Sequence, residues 1–336
     1  MNSLLNVVFF LSGMAALIFE TLWFHQAGLA LGNSVWASSL VLAGFMGGLG
    51  FGNVLAARYG HRVRRPIFVY GVLEALIGLT GIAIVVLLPL VGPLLAPALG
   101  PLLDWAWALN ALRLVVSLLI LLVPSTAMGV TLPLLVKAAV AQDANFGRVL
   151  GRLYGWNTVG AVTGVICAEV FLIGWLGIRG SAVVAGLVNG FAAAGAVVLA
   201  RRAGRAAAVA AEPERPMALF ARMPAGAWRV LVAVFLAGGS LLALEVIWFR
   251  LLLLFIHGSS LAFALMLATV LAGIGSGGLV GSAWLGRRPD ASRHAPIVAL
   301  AAGILCVAGY AGLRLVVDST ATEYVGDWAP TLTRGS

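Results

Sequence analysis

Long apolar runs, each about as long as a bilayer crossing and nearly free of charge, follow one another along the 336 residues. A helical crossing needs about 20 predominantly apolar residues. The runs fall at Leu5–Ala30, Val35–Ala57, Ile67–Val91, Trp105–Leu121 with a continuation through Pro124 to Lys137, Leu150–Leu176, Ser181–Leu199, Val230–Ile256, Ser260–Leu285 and Ile297–Val317. Open strands leave backbone groups unpaired in lipid, so every run is expected to be helical. The expected fold is an all-α polytopic membrane helix bundle of about nine spans. Composition agrees: 62% of the residues are hydrophobic and 10% charged, against roughly 25% charged in a soluble domain.

The net charge of +9 is concentrated between the runs. Arg58, Arg62, Arg64 and Arg65 follow the second run, and Lys137, Arg148 and Arg152 follow the fourth. Arg201, Arg202, Arg205, Arg215, Arg222 and Arg229 follow the sixth, and Arg287, Arg288 and Arg293 the eighth. The odd-numbered exits carry Gly32-Asn33-Ser34, a Pro/Gly/Leu stretch ending at Asp104, a turn with Arg179, His257-Gly258-Ser259, and the acidic Asp318, Glu323 and Asp327. Basic residues collect in cytoplasmic loops, so the N-terminus is expected inside and the last segment outside. The positive charge therefore reads as loop asymmetry, and no nucleic-acid partner is expected. Glu20 and Trp23 stand where a small-residue cleavage site would be needed, so the first run is expected to be a retained helix. Cys167 and Cys306 lie inside apolar runs and are expected as packing residues.

The two ends of the chain repeat one another. Phe10-Leu11-Ser12-Gly13 through Glu20-Thr21-Leu22-Trp23-Phe24 matches Phe235-Leu236-Ala237-Gly238 through Glu245-Val246-Ile247-Trp248-Phe249. Val41-Leu42-Ala43-Gly44 matches Val270-Leu271-Ala272-Gly273, and the glycines Gly44, Gly48 and Gly52 pair with Gly273, Gly277 and Gly281. Six spans separate the copies, so both start on the same side and the repeat is parallel, with its second half incomplete. The implied division is a six-helix transmembrane half at 1–200, a cytoplasmic linker at 201–229, a three-helix partial repeat at 230–317 and an outer tail at 318–336. Glycines four apart make a smooth helix face, and static packing or rocking of the halves are both open for these ladders.

Ionisable groups inside spans are costly and mark candidate sites. Glu20 and Glu245 each lie about fifteen residues into their runs, and Trp23 and Trp248 follow on the same helical face. Paired carboxylates beside aromatic rings would suit an amine or polyamine cation, or would carry protons. Alternatively each Glu ties its helix to polar groups nearby. Glu74 is expected near Arg62 or Arg65, and Glu169 within reach of Arg113. Asn157 and Asn189 read as interhelical hydrogen-bonding residues, and His25 and His257 as interfacial ones. No close His/Cys/Asp/Glu spacing supports a metal site. Pro124 and Pro133 bracket Ser125-Thr126-Ala127-Met128-Gly129, so the fourth span is expected to be broken.

Gly52-Asn53-Val54-Leu55-Ala56-Ala57-Arg58-Tyr59-Gly60-His61-Arg62 resembles the loop signature between helices 2 and 3 of the major facilitator superfamily, with Ala57 where that signature usually has Asp. More specifically, the chain is similar to the membrane region of fused major facilitator/spermidine synthase-like bacterial proteins. The similarity lies in Ser12-Gly13, Phe19-Glu20 and Trp23, in Val41 through Leu49, in Pro124 with Met128 through Pro133, and in Gly151 through Ala161. This resemblance implies a multi-pass protein of the bacterial inner membrane that transports or delivers a small, polyamine-type cationic metabolite. The alternative it implies is a membrane anchor for a spermidine synthase-like aminopropyltransferase domain. No catalytic position of that synthase falls on these residues, the chain is expected to be truncated relative to the family, and neither an activity of its own nor a cofactor is expected. The expected partners are the lipid bilayer, a cationic metabolite, and a synthase-like domain or a second copy.

Overall fold

The structure is a computed structural model that describes residues 2–31, 35–100, 104–140, 145–203, 226–256 and 259–312. Gly32-Asn33-Ser34, His257-Gly258, most of the linker at 201–229 and the tail at 318–336 lie outside the described residues.

Within the described residues each long apolar run forms helix: α1 (Asn2–Leu31), α2 (Val35–Tyr59), α3 (Pro66–Leu99), α4 (Ala106–Val140), α5 (Phe146–Cys167), α6 (Ile173–Ala203), α7 (Ala227–Leu252), α8 (Ser259–Arg287) and α9 (Ala295–Gly312). Among the described residues no strand occurs. Among the described residues seven stretches are long and apolar enough to cross a membrane, and one of them, Phe146–Arg202, runs for 57 residues and contains α5 and nearly all of α6. At 25 residues, α2 is about 37 Å long, itself sufficient for the hydrocarbon core. The fold is that of an all-α polytopic membrane helix bundle.

Between α5 and α6 the chain makes a π-helical turn over Ala168–Leu172 and then a sharp kink at Gly177, where φ is +64°. A side chain would be strained in that left-handed conformation, so glycine is the residue that fits. By contrast, α4 is continuous, and the expected break at Pro124 and Pro133 does not occur. The Ser125 hydroxyl donates to the Leu121 carbonyl at 2.5 Å and the Thr131 hydroxyl to the Met128 carbonyl at 2.7 Å. Both are bonds back along the helix, whereas the carbonyls that Pro124 and Pro133 leave without an N–H donor are those of Ile120 and Gly129.

The core is organised around α1. Towards one end, Leu5, Val8 and Phe9 pack with Tyr70, Leu135, Val149, Leu153 and Ala192. Towards the other, Ile18, Phe19, Leu22 and Trp23 pack with Phe45, Val85, Leu121 and Ala182. Close backbone approach is achieved through glycine. Gly160 and Gly164 of α5 lie against the Phe10 and Met14 carbonyls of α1, while Gly48 and Gly52 of α2 lie against Ser125, Thr126 and Gly129 of α4. The α2–α3 turn, a 3-10 helix at Gly60–Arg62, is held by Lys137 of α4, whose ammonium donates to the carbonyls of Gly60, His61 and Val63 at 3.1, 3.2 and 3.5 Å.

The Gly44, Gly48 and Gly52 face of α2 meets α4 along its length, whereas Gly273, Gly277 and Gly281 of α8 have nothing within 4 Å among the described residues. The expected packing role of that second ladder is taken by the adjacent face of α8. There, Gly275 lies against Thr158, and the Ser282 hydroxyl donates to the Arg148 carbonyl at 2.9 Å.

Tertiary contacts divide the chain after Ala283. In the second unit Trp284 begins a segment that passes through a 3-10 helix, Pro289–His294, into α9. Within it the Trp284 ring lies 5.5 Å from that of His294.

Candidate functional site: an acidic pair between α1 and α7

Positions matched in the sequence repeat meet in space. Phe24 of α1 and Phe249 of α7 are in edge-to-face contact at 5.9 Å. Phe263 of α8 stacks on Phe24 at 3.7 Å and 4°, and is edge-on to Phe249 at 5.9 Å. One helical turn before these rings stand Glu20 and Glu245, both buried, at 7% and 6% exposure. The two carboxyl groups are close enough for their charges to act on one another, and Tyr154 of α5 lies within electrostatic reach of Glu245. One carboxyl oxygen of Glu245, Oε2, is buried without a hydrogen-bond partner.

Glu20 also borders a small cavity with Trp23, Phe24, Leu42, Phe45, Leu121 and Phe263, with room for about one water molecule. Its walls come from α1, α2, α4 and α8. Chemically this is an acidic spot lined by π faces, with space for about one water and for nothing larger.

The tryptophans have different surroundings. Trp23 is fully buried, stacked on Phe19 at 5.6 Å and edge-on to Phe45, with its indole N–H directed at the Gly81 carbonyl at 3.4 Å. Trp248 is half-buried against the α7–α8 cluster. The ring that α7 presents to α1 is therefore that of Phe249. Phe24, Phe249 and Phe263 were not among the sequence candidates, although a Phe following each repeated Trp was a visible signal.

Other intramembrane polar residues are distributed over separate contacts. Glu74 is not with Arg62 or Arg65: it is completely buried and accepts from the Ser12 hydroxyl at 2.6 Å. The α3 register turns it inward towards α1, away from the α2–α3 turn. Glu169 accepts from Ser260 of α8 at 2.7 Å in place of the expected Arg113, whose Nε is buried without a partner. The Asn157 amide donates to the Phe9 carbonyl at 3.0 Å and the Asn189 amide to the Glu74 carbonyl at 3.1 Å, each joining two helices. Among the described residues no group of three His, Cys, Asp or Glu side chains could hold a metal.

The comparisons with known proteins are sparse. The chain is 28% identical over 199 residues to Polyamine aminopropyltransferase 1 of Streptomyces coelicolor, a match covering 58% of this chain and 33% of that protein. The chain thus spans about a third of that relative's length. No family model matches, and no solved structure matches.

Proposed function

We propose that the chain binds a small organic cation of polyamine type between α1 and α7, and carries it across or delivers it within the membrane. The observation that supports this most directly is the burial of Glu20 and Glu245 together, from matched positions of a repeat, with aromatic rings one turn away and no basic side chain bonded to either among the described residues. Two buried carboxylates without a counter-ion are costly. A cation with two or more ammonium groups would neutralise them and gain π contact from Phe24, Phe249 and Phe263. The cavity beside Glu20 is then one edge of the site, and movement of α7 and α8 relative to α1 would enlarge it.

In this reading the parallel repeat places the acidic residues on either side of an axis along the membrane normal, as in the major facilitator superfamily, and the N-terminus lies in the cytoplasm. The similarity to a polyamine aminopropyltransferase suggests the class of cation. It also favours one alternative: a region of this kind could tether an aminopropyltransferase domain to the membrane without a transport cycle.

The test is uptake of labelled spermidine by vesicles containing the intact chain. Glu20→Gln and Glu245→Gln are each expected to reduce the rate at least tenfold while the protein still inserts. Absence of uptake by the wild-type chain, together with a stable complex with the soluble synthase domain, would favour the tether.

A further inference from the structure

A second buried acid lies apart from the pair. Ser12 of α1, Tyr70 and Glu74 of α3, and Asn189 of α6 are 7%, 0%, 0% and 0% exposed. Their donors and acceptors can be counted one by one. Glu74 Oε1 is served by the Ser12 hydroxyl. One of the two N–H groups of the Asn189 amide is committed to the Glu74 main-chain carbonyl, and the amide makes no bond to Oε2. Glu74 Oε2, Asn189 Oδ1 and the Tyr70 hydroxyl remain, all buried and without a partner. An ionised carboxylate and an amide oxygen only accept, so the single phenolic proton of Tyr70 can serve one of these two bare acceptors. The cluster is one proton short. From α1, α3 and α6 the groups acting on Glu74 are Ser12 and Tyr70, and no basic side chain among the described residues supplies a counter-charge.

We propose that this cluster is a cation-binding site whose ion is a proton, carried on Oε2 of Glu74. The added proton turns an acceptor into a donor, removes the buried charge and completes the hydrogen bonding between α3 and α6. Oε1 accepts from Ser12 of α1 in both states, and release of the proton makes that bond charge-assisted and so stronger. Ser12 and Glu20 are on the same helix, about 12 Å apart along its axis. Proton occupancy therefore biases the position of the helix that carries half of the acidic pair, and the proton is the coupling ion. The coupling step rests on the transport reading; the proton site does not.

The experiment is infrared spectroscopy of the intact chain in lipid vesicles at neutral pH, in a Glu20→Gln, Glu245→Gln background. The C=O band of a protonated carboxylic acid is expected there, and its loss is expected on adding Glu74→Gln. No such band, or a band that survives Glu74→Gln, would overturn the proposal. Ser12→Ala leaves Glu74 in place and is expected to move the same band by removing a donor from Oε1; an unmoved band would also overturn it. In the otherwise wild-type chain, Glu74→Gln is expected to abolish stimulation of spermidine uptake by a pH gradient while downhill uptake persists. A Glu74 band without wild-type uptake sinks the transport reading and leaves the proton site standing. Uptake without the band does the reverse.

Discussion

Exchanging one hydrogen for a methyl group at two matched positions of the repeat should have opposite effects. A Cβ added at Gly52 would fall onto the Thr126 carbonyl oxygen, with the Gly129 Cα at 2.9 Å and the Thr126 carbonyl carbon at 3.0 Å. All of these are α4 backbone atoms, so none can rotate away, and relief requires α2 and α4 to separate along the shared ladder. Overpacking of this type costs about 1–3 kcal/mol, offset by up to about 1 kcal/mol from the better helix propensity of alanine. At Gly281 the added Cβ meets nothing within 4 Å, leaving only the propensity gain. Gly52→Ala is therefore expected to destabilise by up to about 2 kcal/mol and Gly281→Ala to be neutral or stabilising by up to about 1 kcal/mol. Reversible unfolding of the intact chain in mixed micelles by sodium dodecyl sulfate, followed by tryptophan fluorescence, measures both. Equal destabilisation at the two positions would refute the argument, because it would mean that the α8 ladder is as tightly covered as that of α2.

Lys137→Met removes the donor that three carbonyls of the α2–α3 turn share, and should loosen that turn by about 1–2 kcal/mol. Hydrogen exchange of the amides around Gly60–Arg62 would rise; unchanged protection would show that the ammonium contributes nothing there. Asn157→Leu deletes one interhelical bond between α5 and the Phe9 carbonyl. Its cost is expected to be small, about 0.6 kcal/mol, in the same micelle titration, and a loss several times larger would mean that the α1–α5 contact depends on Asn157 far more than on glycine packing.

Much of the architecture was legible in the chain itself. Apolar length and the absence of charge require helices in lipid, because no other open structure satisfies the backbone there. The string Glu-x-x-Trp-Phe occurs at Glu20 and again at Glu245, and the fold brings these two carboxyl groups within electrostatic reach of one another. The kink at Gly177 falls in the gap between the runs ending at Leu176 and starting at Ser181.

Which groups meet across helices was decided by the tertiary structure. Charge alone paired Glu74 with nearby arginines and Glu169 with Arg113; the fold gave both carboxyls a serine, from α1 and α8. Hydropathy does not encode the rotation of a helix about its axis, and a few tens of degrees change the neighbour of every polar side chain. For the same reason two glycine ladders of the same spacing ended differently, one pressed against α4 and the other met by nothing among the described residues. Proline implied a break in α4, but the helix continues through both Pro124 and Pro133. Sequence determined which segments enter the bilayer, since that depends on composition summed along a helix. Only three-dimensional packing determined what each buried polar atom touches, since that depends on helices far apart in the chain.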